Sequence, residues 1–138
     1  MLFFVTPRNL KERVQLTIQP EIFVLADTSA VDTILTNLLS NAVKYSPVDS
    51  AIQVVLSKQD KQVEMAVIDK GPGINESAKK ELFNKFFRIG DENTRKTNGT
   101  GLGLYIVKNL AIKLGAEVVV ENGVDGGSIF KIRFKTHE

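Results

Sequence analysis

Asp27-Thr-Ser-Ala-Val31-Asp-Thr-Ile34-Leu35-Thr-Asn37-Leu38-Leu39-Ser-Asn41-Ala42-Val43-Lys44-Tyr45-Ser-Pro47 is the stretch on which the fold turns. Val31, Ile34, Leu35, Leu38, Leu39, Ala42 and Val43 recur at spacings of three and four, which puts them on one stripe of an α-helix. Asp27, Thr28 and Ser29 supply side-chain oxygens that accept from the free N–H groups of a first turn. Pro47 marks the end. A long helix with one apolar stripe needs an apolar sheet or helix to cover, so the flanking segments decide the rest.

Upstream, Val14 to Gln19 alternates apolar and polar residues as a half-buried strand does, until Pro20 interrupts it. Ile22 to Ala26 is a second short apolar run, read as an edge or buried strand. Downstream, Ile52 to Ser57 and Val63 to Ile68 read as strands joined by a polar turn at Gln59-Asp60-Lys61. Asp69 to Gly73 is a loop by composition, and Glu76 to Phe83 a short helix. Residues Gly90 to Gly101 are polar and aperiodic, a length that marks a functional or mobile connection. Leu104, Val107, Leu110, Ala111 and Leu114 give a second amphipathic helix, stopped by Gly115. Val118 to Val120 and Ile129 to Phe134 form a last strand pair around the Gly-rich turn Gly123 to Gly127. The expected class is α+β: a two-layer α/β sandwich, with a mixed, mostly antiparallel sheet carrying its helices on one face.

Composition narrows the function. The 138 residues fit one domain, and 43% apolar with 25% charged residues is ordinary for a globular one. There is no cysteine, which removes disulfides, thiolate metal sites and cysteine nucleophiles together and suits the cytoplasm. A formal net charge of +2 is too near zero to argue for nucleic acid or a membrane surface. No apolar run approaches the roughly 20 residues of a membrane span. The opening Leu2-Phe3-Phe4-Val5 is too short for a signal peptide. Residues 1–13 are read as the remnant of an upstream linker or a short strand, and 14–138 as the domain.

Three features carry chemistry. Asn37, Asn41 and Lys44 stand at i, i+4 and i+7, within about 60° of one another on the polar edge of the first helix. An asparagine amide oxygen is a donor for a hard cation such as Mg²⁺, and a neighbouring lysine meets phosphates as a point charge. Asp69-Lys70-Gly71-Pro72-Gly73 follows a strand directly. A carboxylate there can accept from an exocyclic amine, with glycines letting backbone approach a flat ring. Gly99-Thr100-Gly101-Leu102-Gly103 enters the second long helix, where free N–H groups and the helix dipole favour an anion. It is neither the dinucleotide fingerprint nor a P-loop. Each feature alone is also what a solvated helix face or a plain turn looks like.

Together and in this order they resemble the sequence boxes of sensor histidine kinases. Asn37-Leu-Leu-Ser-Asn41-Ala-Val-Lys44-Tyr45-Ser-Pro47 is similar to the N box, and Asp69-Lys-Gly71-Pro-Gly73-Ile74 to the G1 box. Phe83-Asn-Lys-Phe86-Phe87-Arg88 is similar to the F box, and Gly99-Thr100-Gly101-Leu102-Gly103-Leu104 to the G2 box. The match spans residues 27 to 134. It implies a Bergerat-type ATP-binding fold, shared with type II topoisomerases, a heat-shock chaperone and mismatch-repair ATPases.

The resemblance also implies roles. Asn41 ligates a Mg²⁺ that bridges the ATP phosphates, Asn37 supports it, and Lys44 touches phosphate oxygens. Tyr45 lines the adenine end. Asp69 accepts from the adenine amine, and Gly71, Gly73 and Ile74 shape that wall. Gly99, Thr100, Gly101, Leu102 and Gly103 anchor a lid and meet the phosphates. The lid is the polar stretch from Arg88 to Asn98, with Phe86 and Phe87 as its hinge, and Arg88 reaches the γ-phosphate. ATPases of this superfamily carry glutamate four residues before the metal-binding asparagine. Here that position is Asn37, which cannot remove a proton from water at neutral pH. A kinase is therefore expected rather than a good hydrolase.

The expected activity is transfer of the γ-phosphoryl group to a histidine on a separate dimerisation domain, with a response regulator downstream. The one histidine, His137, next to the C-terminus, is not expected to be that acceptor. The isolated domain is expected to be a cytoplasmic monomer, whatever membrane anchor the full-length parent carries, with no nucleic-acid partner. Readings from other classes are a nucleotide-binding regulatory module, such as a serine-kinase anti-sigma factor, and a catalytically inactive scaffold. The F box argues against the first and the intact boxes against the second.

Overall fold

The computed structural model describes residues 13–19, 26–84 and 102–135. The first helix, α1, spans Thr28–Tyr45. The Asp27 side chain caps it by accepting from the Ser29 N–H at 2.9 Å. It ends where Ser46 turns extended just before Pro47, as the residue preceding a proline must. Ile34, Leu35, Leu38, Leu39 and Ala42 are buried along the predicted stripe. Each large apolar side chain among them contributes about 1.5–3 kcal/mol of burial.

What α1 covers is a sheet of five strands among the described residues. Strands β1 (Val14–Ile18), β2 (Ile52–Gln59), β3 (Gln62–Ile68), β4 (Glu117–Asn122) and β5 (Ser128–Lys135) lie in the order β1-β2-β3-β5-β4. Among the described strands only the β1–β2 pair is parallel, so the sheet is mixed and mostly antiparallel, as expected. The strand period of two sorts the side chains. Val54, Val67, Phe130 and Val120 stand in one rung, and Leu56, Met65, Ile132 and Val118 in another. Both rungs face the core shared with Ile34, Leu35, Leu38 and Leu39. The opposite face carries ion pairs, Arg133 with Glu64 at 3.1 Å and Lys131 with Glu121 at 2.9 Å.

Among the described residues, two further helices join the helical layer, α2 (Glu76–Glu81) and α3 (Gly103–Lys113). Val107 of α3 joins the same core, and α3 packs on α1 and β4. Gly115, at φ +69, ends it as expected.

Several boundaries differ from those expected of the sequence. The β2–β3 ladder runs to the pair Gln59–Gln62, so the turn is Asp60-Lys61 alone, with Asp60 at φ 52. Backbone pairing continues past the last apolar side chain because the ladder needs only N–H and C=O groups. The helix expected over Glu76 to Phe83 stops at Glu81, and Leu82 and Phe83 instead turn their side chains into the core. Arg13, just before β1, is buried: its guanidinium donates to the Ser50 carbonyl at 3.0 Å, the Pro47 carbonyl at 2.9 Å and the Ser46 hydroxyl at 3.1 Å. The apolar run 22–25, the lid 88–98 with Arg88, the hinge residues Phe86 and Phe87, Gly99, Thr100, Gly101 and His137 lie outside the described residues.

Candidate functional site

The site is built at the end of β3. Its ladder with β5 extends one residue past Ile68, because the Asp69 N–H donates to the Ser128 carbonyl at 3.0 Å. That places the Asp69 side chain, only 3% exposed, against the first residue of β5. One carboxylate oxygen, Oδ1, accepts from the Gly71 N–H at 2.8 Å and the Ser128 N–H at 3.3 Å. The other, Oδ2, accepts from the Ser128 hydroxyl at 2.7 Å. A carboxylate has about four acceptor positions. Among the described residues three are filled, and the open one is on Oδ2. Asp69 lines an open cleft with Asn41, Tyr45, Pro72, Gly73, Ile74 and Ser128. A buried carboxylate with one acceptor position left, at the wall of a cleft, is arranged to receive a single N–H donor.

The loop that carries this carboxylate is pressed between two elements. A Cβ on Gly71 would stand 2.6 Å from the Tyr45 carbonyl oxygen, so the loop lies directly on the last turn of α1. A Cβ on Gly127, which has φ +80, would stand 2.0 Å from the Asp69 carbonyl oxygen. Glycine is required at both positions, once by close approach and once by close approach and φ together.

The N-box residues arrive on α1. Asn41 and Tyr45, one turn apart, face the cleft. Asn37 lies a turn earlier, where its Nδ2 donates to the Thr33 carbonyl at 2.8 Å. Its Oδ1 faces the start of α3: a Cβ on Gly103 would be 3.0 Å from it. Leu102 occupies the N-cap position of α3 and makes no side-chain capping bond. The structure thus brings the N-box helix against the last residues of the Gly-rich segment. Lys44 is half-buried on α1 and is not among the residues lining the cleft.

Of the expected site residues, Asn41, Tyr45, Asp69, Gly73 and Ile74 meet at one cleft, Gly71 supports it, and Asn37, Leu102 and Gly103 cluster beyond its α1 side. Ser128 is a site residue that the motifs do not mark. A lone serine after glycines reads as turn chemistry, and its signal is register: once β3 pairs with β5 through Ile68 and Ile129, the next pair is Asp69 with Ser128.

Known proteins share this sequence pattern and fold. Residues 26–138 match the family described as histidine kinase-, DNA gyrase B-, and HSP90-like ATPase. The histidine protein kinase SaeS of Staphylococcus epidermidis is 36% identical over 107 residues, covering 76% of this chain and 30% of that protein. Among solved structures, the mycobacterial sensor histidine kinase MprB superposes with TM-score 0.80 at 30% identity, covering 93% of this chain and 88% of that one. Full-length ShkA in complex with AMPPNP superposes with TM-score 0.74 at 29% identity, covering 95% of this chain and 28% of that one. The chain spans a third or less of the length of the curated relatives it matches. Among the described residues, no helix is long and apolar enough to cross a membrane. With a buried aspartate at the end of β3, asparagines along α1 and a glycine-rich entry to α3 on this sheet, the chain belongs to the histidine kinase-, gyrase B- and HSP90-like ATPase family.

Proposed function

We propose that this domain binds Mg²⁺–ATP and passes its γ-phosphoryl group to a histidine on a separate helical dimerisation domain of a two-component sensor kinase. The observation that carries the reading is the hydrogen-bond count at Asp69, which leaves one acceptor position at the cleft. An adenine 6-amine donates there; the 6-oxo group of guanine would set acceptor against acceptor. Tyr45, Gly73 and Ile74 supply the walls for the ring. The phosphate end then runs along α1 towards Asn37 and the uncapped start of α3, whose N–H groups and dipole favour an anion.

The donor set fits Mg²⁺. Among the described residues, no three His, Cys, Asp or Glu side chains gather to hold a metal ion. A hard cation at the Asn41 amide oxygen would therefore take its other ligands from phosphate and water, which is how Mg²⁺ is commonly held. When bound, the cation supplies charge neutralisation to the phosphates. Lys44 and Arg88 are proposed to add positive charge at the same end, with Gly99, Thr100, Gly101, Leu102 and Gly103 closing over it. Asn37 gives no general base for water. That favours transfer over hydrolysis, and hence a kinase over a free-running ATPase. SaeS and MprB are named histidine kinases, which supports the same acceptor class and a downstream response regulator for the parent of this chain.

The test is a titration of the chain with ATP and GTP in the presence of Mg²⁺. ATP is expected to bind with GTP weaker by about tenfold or more, the equivalent of one hydrogen bond to a charged group. Equal affinity for the two would remove the adenine assignment.

A further inference from the structure

The β4–β5 hairpin reaches the nucleotide wall through a side chain that no motif marks. Asn122, the last residue of β4, uses both ends of its amide on one distant residue. Its Oδ1 accepts from the Ile74 N–H at 2.8 Å, and its Nδ2 donates to the Ile74 carbonyl at 2.9 Å. A polar side chain at a strand end ordinarily bonds backbone a few positions away. This one is committed across 48 positions of sequence and imitates, with one amide, the pairing of a neighbouring strand.

Gly73 permits the approach. Its φ is +81, and a Cβ there would stand 3.2 Å from Asn122 Oδ1 and 3.3 Å from the Gly127 carbonyl oxygen. Asn122 also pairs with Ser128 in the β4–β5 ladder, and Ser128 is the residue whose hydroxyl holds Asp69. One hairpin therefore fixes both ends of the 69–74 loop, Asp69 through Ser128 and Ile74 through Asn122. Asn122 itself is not among the residues lining the cleft.

We infer that Asn122 is a positioning residue for base specificity: it sets the Gly73–Ile74 wall at a fixed distance from the Asp69 carboxylate, so that the ring edge is read by its amine. This rests on the proposed adenine site. Without the clasp, Ile74 keeps its burial but loses its backbone partner, and the wall can shift relative to Asp69. A wall that moves lets a ring tilt, and tilt removes the penalty against a 6-oxo group.

The experiment measures ATP, GTP and adenosine affinities of the full chain and of Asn122→Ala and Asn122→Asp, with melting curves for each. Asn122→Ala is expected to weaken ATP by about tenfold, as the loss of one to two neutral hydrogen bonds does. Adenosine should weaken by the same factor, GTP by less, so the ATP-to-GTP ratio contracts. Asn122→Asp keeps the acceptor for the Ile74 N–H but sets a carboxylate oxygen against the Ile74 carbonyl, and should contract the ratio at least as far. A lowered melting temperature with the ATP-to-GTP ratio unchanged would overturn the inference and leave Asn122 a structural fastener. Should neither variant fold, amide exchange of Ile74 in the unaltered chain decides: protection comparable to β4 is expected, and exchange at the rate of an open loop overturns it. Failure of the unaltered chain to prefer ATP over GTP would instead bring down the adenine site, and this inference with it.

Discussion

Asp69→Asn is the sharpest single change available, because the structure predicts separately what it does to folding and to binding. The asparagine Oδ1 can still accept from the Gly71 and Ser128 N–H groups. Its Nδ2 replaces the oxygen that took the Ser128 hydroxyl, and that hydroxyl can rotate from donor to acceptor. The buried bonds at the end of β3 therefore survive, and the melting temperature should change little. The cleft side inverts. A second Nδ2 hydrogen now points where an adenine amine donates, so donor meets donor. Loss of a hydrogen bond to a charged acceptor costs about 1.5–3 kcal/mol. That corresponds to a loss of ATP affinity of roughly tenfold to a hundredfold. Inosine triphosphate, with an oxygen at the same ring position, should lose less or gain, because its acceptor meets the new donor. Calorimetric titration of both nucleotides into both proteins, beside thermal melts, gives all the quantities. Unchanged ATP affinity, or equal losses for ATP and inosine triphosphate in a folded variant, would refute the reasoning.

Two further substitutions probe the same geometry. Gly127→Ala places a Cβ 2.0 Å from the Asp69 carbonyl oxygen at φ +80; a loss of roughly 2–5 kcal/mol of stability is expected from strain and overpacking, read in denaturant melts, together with weaker nucleotide binding. Asn41→Ala should weaken Mg²⁺–ATP by at least tenfold while metal-free ADP changes little, because only the former uses the amide oxygen through a cation; equal losses for both would make Asn41 structural.

How far the sequence reveals the site depends on the range of the interaction. The α1 stripe and its Asp27 cap are local, at spacings of two to four residues, and both are legible from residue type and spacing alone. The Asp69–Gly73 loop is legible as a loop, and its glycines as places of close approach. What they approach is not legible. The backbone of Tyr45 meets Gly71, and Asp69 meets Gly127, only because α1 and the β4–β5 hairpin flank the end of β3. Ser128 and Asn122 are hidden for the same reason. Each acquires its role through a bond across 59 or 48 positions, and neither residue type signals such a bond in a Gly-rich turn. Arg13 is a third case, an arginine in an unpatterned lead-in that fastens the turn after α1. Strand ends drift as well, since backbone pairing at Gln59–Gln62 outlasts the alternation of side chains.

The most direct test of the account is phosphoryl transfer itself. Catalysis of this kind is mostly in-line positioning and charge neutralisation, and the chain is proposed to supply both for a nucleophile carried elsewhere. Radiolabelled ATP is incubated with this chain alone, with the histidine-bearing helical domain proposed for its parent alone, and with both. The account predicts slow turnover and no label on the chain by itself, and label on the helical domain only in the mixture, acid-labile and alkali-stable as a phosphoramidate is. Rapid ATP hydrolysis by the chain alone, or acid-stable phosphate on serine or threonine, would contradict it.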